Sequence, residues 1–175
     1  GMVAAHEAME DAGYGVNTHF DRDRVSCILG VTGCLELVVP LGARLGGPHI
    51  RRALEKTGLE KKEIDQVVCE VSDSYVGWQE ASFPGLLGNV VAGRIASRLD
   101  LGGTNSVVDA ACGSSLAALT MAIMELRTQR SDMVITGGVD TFNDIFMYMC
   151  FSKTPALSKT GHAKPFDNSA DGTAL

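Results

Sequence analysis

Residues 105–127 read NSVVDAACGSSLAALTMAIMELR, and the fold turns on this stretch. The run 105–111 is apolar and partly β-branched, the composition of a short buried strand, and it leads straight into Cys112 and Gly113. From 114 to 127, Leu116, Leu119, Ile123 and Leu126 recur at helical spacing, so a helix starts with no linker. A cysteine delivered by a strand to the start of a helix meets unpaired N–H groups and the positive end of the macrodipole. A thiol there is expected to ionise more readily. The same N–H groups are candidates to hold an oxyanion during acyl transfer. Gly113 is expected to let the backbone turn sharply without a Cβ clash. These are the requirements of a nucleophile elbow that carries sulfur. The local pattern leaves a second reading open, in which Cys112 is a small buried filler, the commoner fate of a cysteine. Ser114 and Ser115 read as helix-start caps, with no histidine near them in sequence to activate them.

Two further buried strands flank this unit in sequence, RVSCILGV at 24–31 and DMVITGG at 132–138. Val3, Ala5, Ala8, Met9 and Ala12, stopped by Gly13, predict a first helix. Ile50, Ala53 and Leu54 predict a short helix closed by Gly58. Ile64, Val67, Val68 and Val71 predict an amphipathic one. SFPGLLGNVVAGRIASRLDL reads as one helix on Leu87, Val90, Val91 and Ile95. Gly88 and Gly93 inside it each cost about 1 kcal/mol relative to Ala, so another backbone is expected to pack closely there. FNDIFMYMCF predicts a short helix, and 152–175 reads as loop. Strands alternating with helices imply an α/β layer architecture around a central, largely buried sheet.

The 175 residues suffice for one domain with a hydrophobic core, and 45% apolar against 21% charged is globular composition. A net charge of −6 argues against non-specific binding to nucleic acid or anionic lipid. No apolar run approaches the roughly 20 residues that span a bilayer, and the start lacks a charged-then-apolar signal segment. The five cysteines, at 27, 34, 69, 112 and 150, form no CxxC pair. A zinc site or disulfide framework is therefore not expected; reduced thiols in the cytosol are, with the four other than Cys112 in the core. His6, His19 and His49 read as surface or packing residues, the last two in loops or at a helix start, and His162 as a loop histidine outside the chemistry. Asp167 and Asp171 in FDNSADG lack the other oxygen ligands of a calcium loop and read as loop stabilisers. Asp140 and Asp144 read as turn or cap residues, and Gly137-Gly138 makes no dinucleotide fingerprint. The ending at Ala174-Leu175, without turn or cap, leads us to expect a chain cut from a longer one.

The segment DAACGSSLAA resembles the active-site signature of the β-ketoacyl synthases, the condensing enzymes of fatty acid and polyketide assembly. NVVAGRIASRLDLGGTNSVVDAACGSSLAAL, DMVITGGVD and ALSKTGHAKPFDNSADG follow that family in order and spacing, as do the EAMEDAGY helix and the strand ending ILGV. SFPGLLGNVVAGRI and FMYMCFSKTPALS look most like the condensing domains of polyunsaturated fatty acid synthases, with enediyne-type polyketide synthases a near second. The resemblance implies a thiolase-like α/β fold of five α-β-α-β-α layers built from two halves, of which residues 1–175 form roughly the N-terminal one. It implies that Cys112 accepts an acyl group from the phosphopantetheine of an acyl carrier protein. The carbanion formed when malonyl-carrier protein loses CO2 then attacks the acyl-enzyme. No further cofactor is implied. Phe151 matches a position lining the acyl pocket, and the segment around Asn89 one near the axis of a homodimer. Two catalytic histidines and a lysine belong to the second half, so this chain alone is expected not to condense. Two rivals stand: a non-catalytic partner module, against which Cys112 speaks, and a thiolase or initiating synthase using acyl-CoA, against which KPFDNSADG speaks. Half of such a fold is expected to expose apolar surface and to self-associate.

Overall fold

A computed structural model describes residues 1–15, 17–33, 37–140 and 145–175. Cys34 and Asp144, and the start of the FNDIFMYMCF helix, lie outside the described residues. The chain forms two compact units, Gly1–Val139 and Asp140–Leu175.

In the first unit the elements run α1 (Met2–Asp11), β1 (Val25–Gly30), α2 (Val38–Leu54), α3 (Lys61–Asp73), the single turn α4 (Ser82–Gly85), α5 (Asn89–Leu99), β2 (Asn105–Val108), α6 (Ser114–Arg127) and β3 (Met133–Gly137). The three strands form a parallel sheet in the order β2-β1-β3. Every connection between parallel strands must carry the chain back along the sheet, which is why helices alternate with them.

Strand β1 is central, and Val25, Ser26, Cys27 and Ile28 are buried. Alternation sends Cys27 to one face of the sheet, where Ala92, Ile95 and Ala96 of α5, Ala5 of α1 and Leu101 close the main apolar cluster. Val25 and Ile95, buried in it, contribute about 1.5–3 kcal/mol each. On the other face lies α6, but not by the side its periodicity suggests. Its buried residues are Ser114, Ala118, Ala122 and Glu125, while Leu116, Leu119, Ile123 and Leu126 are exposed, Leu116 to 63%. The small residues allow a close approach. A Cβ on Gly30 would lie 2.5 Å from the backbone carbon of Ser114, and one on Gly138 3.2 Å from Ser115 Cβ.

Toward the other end of α6, Glu125 Oε1 accepts hydrogen bonds from the hydroxyls of Thr104 (2.6 Å), Ser26 (3.3 Å) and Ser131 (3.4 Å). A buried carboxyl group is tolerable only with such partners. Arg24, just before β1, donates to both Asp132 oxygens at 2.7 Å, just before β3. The Asp132 N–H returns a bond to the Arg24 carbonyl at 2.8 Å, which sets the register of the two strands.

Two helices differ from expectation. The helix predicted around Ile50–Leu54 begins at Val38 and holds Gly42, Gly46, Gly47 and Pro48 within it, so His49 is helical rather than in a loop or at a helix start. Its end is as expected, with Gly58 left-handed at φ 81. Gly47 sits against Val68 across α2 and α3, though a Cβ there would make an ordinary contact, and nothing lies within 4 Å of one on Gly42 or Gly46. The helix read through SFPGLLGNVVAGRIASRLDL breaks in two, with Gly88 at the start of α5 rather than inside it. No backbone crowds its glycines: a Cβ on Gly93 would meet only the Asn105 side chain, at 3.7 Å. Tight backbone approaches against β1 occur instead at Gly30 and, 2.5 Å from the Val25 carbonyl, at Gly103.

The second unit holds α7 (Ile145–Lys153) and a loop folded on itself. Ser158 N–H donates to Thr173 O, and Thr173 N–H to Ala156 O, both at 2.8 Å. Asp171 accepts from Ser158 Oγ (2.6 Å) and the Lys159 N–H (3.0 Å), and Asp167 from the N–H and hydroxyl of Ser169 (both 2.7 Å). Those bonds hold both carboxyls below the usual carboxylate range. The two aspartates stabilise the loop, as expected. Among the described residues no helix is long and apolar enough to cross a membrane, and no group of three or more His, Cys, Asp or Glu could hold a metal ion.

Three outcomes follow from this packing. Gly30→Ala is expected to lower stability by at least about 3 kcal/mol, the upper range for overpacking, because backbone rather than a flexible side chain blocks the methyl group; urea unfolding followed by circular dichroism reads this, and a neutral substitution would show that α6 can move away. The Asp132 carboxyl is held below its usual range by the Arg24 hydrogen bond. A depressed carboxyl stabilises the fold above its unfolded value, near 3.9, and loses that contribution as the pH falls through its folded value. Asp132→Asn should therefore unfold at lower urea than the parent at neutral pH, and the gap should close in acid. An equal gap at both pH values would assign the effect to something other than the ion pair. Finally, the bare outer face of α6 should make the purified chain self-associate in sedimentation experiments, and Leu116→Lys with Ile123→Lys should reduce this; a dispersed monomer at every concentration would contradict it.

Candidate active site

Strand β2 ends at Val108 and α6 begins at Ser114, so five residues must reverse the chain above the sheet. The structure makes this turn by placing Ala111 in the left-handed region, at φ 49. For a residue with a Cβ this costs about 1–3 kcal/mol and persists only where the surroundings enforce it. Gly113, the residue expected to make the sharp turn, has an ordinary backbone at φ −87. The strain sits one residue before Cys112, not one after it.

Two side chains grip Ala111. Asp109 Oδ1 accepts from the Ala111 N–H at 2.9 Å, and its carboxylate also accepts from the Thr32 hydroxyl. These bonds, the first the stronger, hold the Asp109 carboxyl below the usual carboxylate range. On the other side, the buried Ser114 hydroxyl donates to Ala111 O at 2.6 Å while its oxygen accepts from Ala110 N–H at 2.9 Å. Ser114 therefore ties the turn and does not cap α6, the role expected of it. The N–H groups of Gly113 and Ser114 donate to Ala110 O and Ala111 O, both at 3.0 Å. Spent on closing the turn, these two are not the donors for an oxyanion.

Cys112 stands at the summit of this turn, exposed. This excludes the buried-filler reading. Of the other described cysteines only Cys27 is in the core, where burial pushes its thiol up to about 11. Cys69 and Cys150 are exposed, contrary to expectation, on α3 and on α7, a helix with no buried residue. Cys69 donates to Asp73 at 3.2 Å, and that carboxylate raises its thiol.

Phe151, half-buried, lies on α7 in the second unit, and Asn89, exposed, starts α5 in the first. His6 lies 3.9 Å from Glu10 on α1, His49 3.2 Å from Arg52 on α2, and His19 and His162 are exposed in loops. The sequence reading missed Asp109, Ala111 and Gly30 as parts of the elbow. Asp at 109, two residues before the N–H it accepts, is the spacing of an Asx turn and was the one available signal.

The sequence and the fold have counterparts among known proteins. The family model described as "Beta-ketoacyl synthase, N-terminal domain" matches residues 1–175. One of the polypeptides of the polyunsaturated fatty acid synthase of Thraustochytrium sp. is 37% identical over 174 residues, covering 99% of this chain and 6% of that protein. Pikromycin polyketide synthase component PikAII of Streptomyces venezuelae is 40% identical over 87 residues, which is 50% of this chain and 2% of that protein. Among solved structures, the ketosynthase from module 6 of the bacillaene synthase of Bacillus subtilis 168 superposes with a TM-score of 0.62 at 24% identity, over 99% of this chain and 23% of that one. A β-ketoacyl synthase from Burkholderia phymatum STM815 gives 0.65 at 19% identity, over 99% and 38%. These likenesses establish the thiolase-like α/β fold. The chain thus spans a small part of each of these relatives, and a turn built around Cys112 lies inside the matched region. With the family model matching from the first residue to the last, the chain belongs to the β-ketoacyl synthase family, as an N-terminal domain of those condensing enzymes.

Proposed function

We propose that Cys112 is the nucleophile of a ketosynthase acting in polyunsaturated fatty acid or polyketide assembly. The observation that carries this is an exposed thiol on a strained turn whose backbone is fixed on both sides at the start of α6. Backbone strain held in this way clusters at active sites and ligand clamps.

In this reading Cys112 attacks the thioester carbonyl of an acyl group borne on the phosphopantetheine of an acyl carrier protein. The carrier thiol leaves, and the acyl group is held on Sγ. Loss of CO2 from a malonyl-carrier protein leaves a carbanion, which attacks the acyl carbonyl. A carbon–carbon bond forms, the carbon–sulfur bond breaks and the cysteine is regenerated. The helix dipole of α6 favours negative charge beside Sγ. Residues 1–175 are read as the N-terminal part of one such domain, which works in the cytosol as a homodimer with the segment around Asn89 near its axis. Phe151 lines the acyl pocket. No cofactor beyond the carrier's prosthetic group enters this scheme. The groups that promote decarboxylation come from outside these residues, so the isolated chain is read as inactive in condensation.

The first test compares thiols. Iodoacetamide near neutral pH, mapped by mass spectrometry, should modify Cys112 fastest. Cys27 should be slowest, since a thiol at about 11 is about one part in ten thousand thiolate at pH 7. Cys69 should lag because its thiol is raised beside Asp73. In the complete ketosynthase domain that carries this chain, Cys112→Ala should lower condensation at least about a thousandfold without unfolding the protein. Full turnover by that variant would end the nucleophile reading.

A further inference from the structure

We propose that Asp109 is a positioning residue for Cys112: its carboxylate holds the Ala111 N–H and thereby fixes the left-handed backbone that aims the thiol. This rests on the reading of Cys112 as nucleophile and adds a residue to it.

The geometry is specific. The φ angle of Ala111 sets how its N–H side is turned relative to its carbonyl side. The carbonyl side is anchored by Ser114, through its hydroxyl at 2.6 Å and its N–H at 3.0 Å. The N–H side is anchored by Asp109 Oδ1, at 2.9 Å. If only one side were held, Ala111 would relax to negative φ, its favoured region, and swing the Cα–Cβ bond of Cys112 with it. Both grips are needed to keep φ at 49. Asp109 is itself tethered by the Thr32 hydroxyl, two residues beyond the end of β1. The elbow is thereby referred to the central strand as well as to its own helix. Asp109 is exposed and does not contribute to the apolar core, so its carboxyl group is not required for packing. Its preference for the charged form, caused first by the Ala111 N–H, agrees with a carboxylate occupied at neutral pH by holding backbone.

The idea separates from a merely structural role by a double-mutant cycle. In the complete ketosynthase domain, Asp109→Ala should lower kcat about tenfold, leave KM within about twofold and slow iodoacetamide modification of Cys112 to a similar degree. Glycine adopts positive φ without penalty. In the Ala111→Gly background, therefore, Asp109→Ala should cost less than about threefold. Asp109→Asn keeps an Oδ1 acceptor and should stay within about threefold of the parent. The proposal is overturned if Asp109→Ala changes neither kcat nor labelling, or if its effect is undiminished in the Ala111→Gly background. Should Asp109→Ala not fold, a tenfold loss in a folded Asp109→Asn would overturn it too, since that would make the charge and not the hydrogen bond responsible. Failure of the nucleophile reading is distinct: it shows as full condensation by Cys112→Ala, whatever the Asp109 variants do.

Discussion

The end of β1 and the first turn of α6 touch backbone to backbone. At Gly30 there is no room for even a methyl group before the Ser114 carbonyl carbon, and Gly138 at the end of β3 leaves little more beside Ser115. This contact fixes where α6 begins, and with it the height of the turn that carries Cys112. The carboxyl ends of β1 and β3, the exit of β2 and the start of α6 therefore converge on one spot. Open parallel sheets generally place their chemistry at that end, because the strands' loops meet there and the helix starts point to it. Here the convergence is maintained by an absence of side chain at two positions and by the buried hydroxyl of Ser114.

A helix held that close cannot present large residues to the sheet. Ala118 and Ala122 follow Ser114 down the inner face, and Glu125 closes it with three hydroxyl partners drawn from β1 and the loops beside β2 and β3. Leu, Ile and Met are left on the outside. An apolar outer face on a helix whose inner face is already satisfied is surface that exposure to water disfavours. It is the largest departure of α6 from a helix packed by its apolar stripe.

The order and type of these elements was legible: β1, β2, α6 and β3 lie within their predicted stretches, and α3 spans the periodic residues Ile64–Val71 and extends beyond them at both ends. What periodicity could not show was the facing of α6. Hydrophobicity reports how strongly a side chain avoids water, whereas the inner face was decided by how near two backbones must come, which selects Ala and Ser. The length of α2 was hidden for another reason: three glycines and a proline read locally as breakers, and local propensity is a weak prior that tertiary context overrides. At the site, Cys112 was legible because strand, cysteine and helix adjoin in sequence. The identity of the strained residue was not. Glycine at 113 is the local favourite for positive φ, yet the hydrogen bonds of Asp109 and Ser114 impose it on Ala111.

That an alanine rather than a glycine sits at φ 49 has a physical consequence. Glycine would reach this conformation without strain, and the hydrogen bonds around it would have little to enforce. Alanine has few accessible regions, and here the one it occupies is selected by hydrogen bonds on both of its peptide planes. The strain, about 1–3 kcal/mol, is offset by bonds each contributing about 0.5–1.5 kcal/mol. What results is one backbone conformation in place of an ensemble. Displacement at a thioester carbonyl is sensitive to the placement of sulfur within about 0.5 Å. For the nucleophile proposed above, a rigid elbow would supply orientation before any substrate is bound.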